Sequence, residues 1–205
     1  MTGNLRRGKF IVFEGIDGAG KATQTKLLLT YLQKRRQPVE KLAYPDKKGE
    51  VGKLIYKYLH LQYGLSSQTQ FLLHLADFAK DREKIRSWLR KNKTVVADRY
   101  FTSALAYQGA QGFSFNKALL LAKTFELVSP DLVIFLKISP KTSLKRKHKE
   151  KKLLDRNEKD KKFLAKVAKF YEKMIKNQTF ARWLLVEGEA PKKEVFAAIK
   201  KELKL

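Results

Sequence analysis

Short apolar runs alternate with longer amphipathic ones along this chain of 205 residues. Lys9–Glu14 (K-F-I-V-F-E) is almost continuously apolar, as a strand buried on both faces must be. Lys21–Arg36 reads as a helix, with Leu27, Leu28, Tyr31 and Leu32 on one face and Pro38 beyond its end. Val39–Tyr44 reads as a second strand ending at Pro45, and Thr94–Asp98 (T-V-V-A-D) as a third. Asp131–Ile138 (D-L-V-I-F-L-K-I) and Trp183–Glu187 (W-L-L-V-E) complete a set of five. Between them the periodicity predicts a short helix over Val51–Leu59 and a long one over Gln68–Leu89. Further helices are expected over Ser103–Tyr107, Asn116–Leu127, Thr142–Lys149, Asp160–Asn177 and Lys192–Leu205. No internal repeat is visible. Strands alternating with helical crossovers predict a three-layer α/β fold, a five-stranded parallel sheet flanked by helices, with ligands at the strands' carboxyl ends. One domain over 1–205 is expected at this length.

Composition supports a packed core, since 43% of residues are hydrophobic and 11% aromatic. The chain has no Cys, which excludes a disulfide framework and fits a cytoplasmic protein. The basic start, Met1–Lys9, is followed by an apolar run that stops at Glu14, too short for a signal peptide, and no run is long enough to cross a membrane. The formal net charge of +25 is unusual. It raises nucleic acid as a partner, but Lys far outnumbers Arg, and Arg is the residue suited to reading bases and phosphates. The excess reads mainly as lysine spread over solvated helix faces, with nucleic acid not the expected partner. His60, His74 and His148 share no metal-ligand spacing, so a zinc site is not expected.

The sharpest local signal is F-E-G-I-D-G-A-G-K-A-T-Q-T, Phe13 to Thr25. Its G-x-x-x-x-G-K spacing follows an apolar strand and opens an amphipathic helix, the context a phosphate-binding loop requires. Backbone amides of Gly15, Ile16, Asp17, Gly18, Ala19 and Gly20, with Lys21, Ala22 and Thr23 at the helix start, are expected to bind the phosphates of ATP. This places the fold among the P-loop NTPases. The residue after the Lys usually carries the hydroxyl that holds Mg2+; here it is Ala22. Thr23 is rotated by about 100° on the helix and cannot simply replace it. Asp98, at the end of the third strand, and Asp17 are the candidate metal residues. Lys141–Lys152 (K-T-S-L-K-R-K-H-K-E-K-K) carries seven basic residues against one acid, and with Asp155-Arg156-Asn157-Glu158 reads as a basic lid over about 141–158.

Taken together, this loop, Tyr44-Pro45 after the second strand, D-R-Y-F-T-S-A-L-A-Y-Q-G-A (Asp98–Ala110), P-D-L-V (Pro130–Val133) and D-R-N-E (Asp155–Glu158) resemble thymidylate kinases over nearly the whole chain. The resemblance implies transfer of the γ-phosphoryl group of ATP to thymidine monophosphate (dTMP), a nucleoside-monophosphate-kinase fold, Mg2+ and a homodimer. It implies that Arg99 clamps the acceptor phosphate beside Lys21, and that Asp17 faces the acceptor sugar's 3′-hydroxyl and the metal shell. It further implies that Pro45, Tyr107 and Gln108 line the acceptor pocket; Ser103 reaches either the base or the preceding turn. One branch of the family carries a catalytic Arg inside the loop, where this chain has Gly18. It therefore resembles the branch that supplies the charge from the lid, with Arg146 and Arg156 as candidates. Two further departures concern the acceptor. Lys47 stands where some relatives have Arg, and the aromatic and Arg expected against the thymine align with His74 and Phe78. Either these two contact the base, with Arg82 one turn on as a possible donor, or they are core packing. Two alternatives follow: a monophosphate kinase of altered base preference, and a basic nucleic-acid-binding protein with a vestigial loop. Lys21, Asp98 and Arg99 are all present, which a vestige has no need to keep.

Overall fold

A computed structural model describes residues 7–149, 156–157 and 160–203, with the side chains of 147–149 and 161 left aside. Asp155 and Glu158, read as part of the lid, lie outside the described residues. The strands are β1 (Phe10–Glu14), β2 (Val39–Ala43), β3 (Thr94–Asp98), β4 (Leu132–Lys137) and β5 (Trp183–Glu187). They form one parallel sheet in the order β2-β3-β1-β4-β5. Every residue of β1 is buried, because helices cover both faces of the sheet. Alternation along β1 feeds two cores. Phe10 and Val12 point into one with Phe71, Tyr100, Phe101 and Tyr171, while Ile11 and Phe13 point into the other with Leu28, Leu32 and Ile199.

The helices are α1 (Lys21–Lys34), α2 (Glu50–Leu59), α3 (Ser67–Ala79), α4 (Arg82–Arg90), α5 (Phe101–Ala110), α6 (Phe115–Thr124), α7 (Pro140–Lys149), α8 (Lys161–Lys176) and α9 (Lys192–Leu203). Apart from shifts of one to three residues at other ends, two differ from the sequence expectation. The long helix over Gln68–Leu89 is two helices, broken at Lys80 and Asp81. Phe78, Ile85 and Leu89 nevertheless enter the same core, so the apolar periodicity runs through the break without a sign of it. The helix expected over Ser103–Tyr107 is longer, because Phe101 and Thr102 at its start are fully buried and continue it inward. Parallel register sets Phe13 of β1 against Asp98 of β3, and Asp98 against Ala43 of β2. The carboxyl ends of the three strands that carry the sequence motifs are therefore side by side. No described helix is long and apolar enough to cross a membrane.

Candidate functional site

Between β1 and α1 the chain turns through Gly15, Gly18 and Gly20, all with positive φ. At Gly15 (φ 143°) a Cβ would lie 2.7 Å from the Leu136 carbonyl oxygen, and at Gly18 (φ 76°) 3.0 Å from that of Ser143. Only glycine fits both the dihedral and the space. The first turn of α1 leaves its N–H groups unpaired within the helix, at the edge of a cleft that residues 17–24 line. Lys21 is folded back onto the loop, its Nζ donating to the carbonyls of Gly15 and Ile16 at 3.0 Å each. Burial first, and Arg99 second, pull its pKa from 10.5 down to about 8, against the opposing pull of Asp17, Asp98 and Glu14. The loop is also held from outside. Ser143 of α7 donates its hydroxyl to the Asp17 carbonyl at 2.6 Å, and Arg146, on the same helix face, donates to the Gly18 carbonyl at 3.1 Å. Arg146 also reaches the Gly188 carbonyl at 2.9 Å, joining the loop to the segment after β5.

Arg99 follows β3 directly and sits in the left-handed region, φ 67°. Its guanidinium donates to Asp17 Oδ1 at 2.7 Å and to Ser103 Oγ at 3.1 Å, and lies 5.3 Å from the Tyr107 ring centre. Burial alone would weaken its charge, but Asp17 beside it, with Tyr107, Tyr171 and Glu14, keeps its pKa well above the usual arginine range. The structure thus brings the phosphate loop and Arg99 to hydrogen-bond distance, through Asp17.

The remaining acceptor residues are placed unevenly. Ser103, Tyr107 and Gln108 are buried behind Arg99, at 9%, 7% and 2% exposure, and do not form the open wall of the cleft. Phe78 is 1% exposed and packs edge-on against Tyr44 (5.0 Å) and Tyr100 (5.2 Å). Of the two readings of this residue, core packing is the one its surroundings match. His74 stacks on Phe78 at 6.1 Å, and burial, followed by Arg99, lowers its pKa to about 4, so it is a neutral ring at physiological pH. Arg82 turns away, to the Phe125 carbonyl and Glu83. Pro45 lines the cleft, and the Lys47 ammonium rests 4.8 Å over the exposed Tyr56 ring.

A latch that the sequence did not reveal fixes the loop carrying Pro45 and Lys47. Lys80, at the α3–α4 break, is within 3.2 Å of Asp46, 3.1 Å of Asp77 and 2.7 Å of Asp81. Asp77, fully buried, accepts the Asp46 amide at 2.9 Å, and Tyr44 donates its hydroxyl to Asp81 at 3.0 Å. Lys80→Met should leave Asp77 without its cation and cost about 2 kcal/mol of stability, reduced from the fully buried case because Lys80 is partly exposed. A urea melt of the variant that overlays the parent would contradict this.

The two lid arginines part company. Arg146 stands at the phosphate loop, whereas Arg156 docks on the far side, donating its amide to the Leu59 carbonyl at 3.0 Å and its guanidinium to the Tyr63 carbonyl at 2.9 Å, over the Tyr58 ring at 4.6 Å. The cleft, which Arg146 lines and Arg156 does not, has a volume of about 1350 Å³, above the usual range for one small ligand, and runs from Lys192 and Arg146 past the loop to Pro45 and Lys47.

For a metal, the oxygen inventory is short. Ala22 and Thr23 are both exposed at the helix start, and Ala22 offers no ligand. Asp17 is committed to Arg99. Asp98 lines the cleft with no hydrogen bond to its carboxylate among the described residues, and its charge is felt by Lys21. No group of three or more His, Cys, Asp or Glu gathers among the described residues. The Asp98 carboxylate on the cleft wall fits Mg2+, which takes one or two carboxylates and completes its shell with phosphate oxygens and water.

Compared with known proteins, residues 13–199 match the family model described as Thymidylate kinase. Thymidylate kinase of Plasmodium falciparum is 37% identical over 146 residues, 71% of this chain and 69% of that protein. The Carboxydothermus hydrogenoformans enzyme is 33% identical over 198 residues, 95% of this chain and 96% of its own length. Among solved structures, thymidylate kinase from Candida albicans, reported for its broad substrate specificity, superposes with a TM-score of 0.77 at 27% identity, covering 97% of this chain and 92% of that one.

Proposed function

The chain belongs to the thymidylate kinase family and is an ATP-dependent kinase of thymidylate, and on that premise we propose how its cleft divides the work. Lys21 and the loop amides hold the outer phosphates of ATP; Arg99 presents the phosphate of dTMP in line with the γ-phosphorus. The reaction gives dTDP and ADP. The observation that carries this is the Arg99–Asp17 contact at 2.7 Å, which sets the acceptor clamp directly beside the donor loop. Asp17 pairs with Arg99 at the position an acceptor anion would take. When dTMP binds, its phosphate displaces that carboxylate, and Asp17 turns to the sugar hydroxyl.

Phosphoryl transfer asks for positioning and charge stabilisation more than for covalent help. An acceptor phosphate is mostly doubly ionised at neutral pH, so no strong general base is needed. Arg146, already at the loop, is the lid arginine placed to gather charge on the donor. Arg156 anchors the other end of the lid to α2 and the loop after it, and must leave the Tyr63 carbonyl to reach a phosphate. Closure of the lid excludes water and so limits hydrolysis of ATP. Asp98 would hold Mg2+, which would neutralise donor-phosphate charge when bound. A homodimer would cover apolar side chains such as Leu72 on α3 and Leu120 on α6, which are 54% and 63% exposed. A cytoplasmic location is part of the same proposal.

Steady-state assays with dTMP, dUMP, UMP, CMP and AMP, each with and without Mg2+, test the reading. The expected result is the highest kcat/KM for dTMP and no turnover without the metal. A tenfold preference for another base would favour instead a kinase of altered base choice. One observation speaks for that second reading: Phe78, in the place expected to carry a guanidinium to the base, is buried and apolar.

A further inference from the structure

Glu14 ends β1, one residue before the phosphate loop, and its carboxylate is fully buried. Four donors converge on it. Oε1 accepts from the Tyr100 amide at 3.2 Å and the Thr102 hydroxyl at 2.7 Å; Oε2 accepts from Ser103 at 2.6 Å and Tyr171 of α8 at 2.8 Å. Three of the four partners follow Arg99 closely: Tyr100 is the N-cap of α5, and Thr102 and Ser103 lie in its first turn. The fourth fixes α8, and burial and Glu14 together push the Tyr171 phenol well above its ordinary pKa, so it stays a donor.

We propose that Glu14 is the positioning residue of Arg99, setting the acceptor clamp relative to the phosphate loop through Ser103 and the start of α5. Two features carry this. Ser103 Oγ donates to Glu14 and accepts from Arg99 Nη1 at 3.1 Å, so one hydroxyl transmits the carboxylate's position to the guanidinium. The backbone is held as well: the Arg99 amide donates to the Phe13 carbonyl at 3.0 Å, and the next amide, of Tyr100, donates to Glu14. Consecutive residues of β1 thus grip consecutive amides around the left-handed Arg99. A bulky residue keeps that conformation only where its surroundings over-determine it. Ser103 therefore faces inward and serves the clamp rather than a base. The inference rests on the reading of Arg99 as acceptor clamp. It predicts that acceptor affinity depends on a residue that touches neither nucleotide.

Calorimetric titration of dTMP and of ADP into the parent, Arg99→Ala, Ser103→Ala, Ser103→Thr and Glu14→Gln tests it, each protein held well below its own melting temperature. Glu14→Gln puts an amide donor where only acceptors fit. It should weaken dTMP about tenfold or more, and Ser103→Ala about fivefold, with ADP affinity within about twofold. Ser103→Thr should restore binding. Adding Ser103→Ala to Glu14→Gln should weaken dTMP no further, because both act through one path. If Arg99→Ala weakens dTMP while Glu14→Gln and Ser103→Ala only lower the melting temperature, or weaken ADP equally, the inference fails by itself. If Arg99→Ala binds dTMP as the parent does, the clamp reading has failed. Should Glu14→Gln not fold, the Ser103 pair decides, since it removes only the relay.

Discussion

Replacing Lys21 with Met is expected to cut kcat about a thousandfold and, in the same molecule, to abolish the rise in stability between about pH 8 and 10.5. The first effect follows from position. Lys21 is the cation that the loop aims at the donor phosphates, and removing one such preorganised donor typically costs about 3–4 kcal/mol of transition-state stabilisation. The second follows from burial. Bringing this amine from a pKa of 10.5 to about 8 corresponds to a penalty of about 3 kcal/mol for carrying the charge at neutral pH. The sign is definite: the depressed value means the folded chain holds that proton less tightly than the unfolded chain does. The penalty is full below pH 8 and is relieved as pH rises from 8 toward 10.5. Met removes it but forfeits two hydrogen bonds from a charged donor to the Gly15 and Ile16 carbonyls, about 1.5–3 kcal/mol each, so the gain on relieving the charge is offset and what disappears is the rise in stability between about pH 8 and 10.5. Thermal melts of parent and variant across about pH 7–11, with initial rates on the same preparation, check both effects. A variant with kcat within tenfold of the parent would show that the loop lysine is not where the donor binds. For the parent, the same shift predicts that KM for ATP rises above pH about 8, as free enzyme loses the Lys21 proton.

That coupling explains why some of the site was legible in the sequence and some was not. The phosphate loop could be read because its constraints are local. Glycine at positive φ and a lysine at the following helix start are fixed by a few consecutive residues, whatever the rest of the chain does. The central strands β1 and β4 were legible for a similar reason, since a sheet covered on both faces leaves uninterrupted apolar runs there. The break between α3 and α4 was not. It depends on Asp46, far away in the chain, arriving at Lys80 beside Asp77 and Asp81. Glu14 was read as a polar strand end, because its partners lie in α5 and α8 and only the tertiary fold assembles them. An acid closing a wholly apolar strand was the available signal. Phe78 and His74 show the opposite limit. Helical spacing puts both on one helix, but whether a ring faces a ligand or the core is decided by what packs on it, here Tyr44 and Tyr100.

The metal is where the chain departs furthest from the usual loop, and Asp98→Asn is expected to remove at least a hundredfold of kcat while Ala22→Ser changes it less than about threefold. Three oxygen sources are within the site's reach. Asp17 has an ion pair with Arg99 to give up first, and in the proposed reaction it turns to the acceptor sugar. A serine hydroxyl at position 22 would add one neutral ligand, worth little beside a carboxylate for a hard cation. Asp98 alone combines charge, a carboxylate without a hydrogen bond among the described residues, and a rigid seat. It is gripped between β1 and β2 by the Phe13 and Ala43 registers, so it cannot drift from the start of the loop. An asparagine keeps the shape and loses the charge, so the Asp98→Asn defect should show as a higher Mg2+ requirement. A more than tenfold rise in half-saturating Mg2+ at fixed ATP, with dTMP affinity in metal-free titrations unchanged, is the expected pattern. An Asp98→Asn enzyme that titrates with Mg2+ as the parent does would move the ion to another ligand, and a large gain from Ala22→Ser would return it to the first turn of α1.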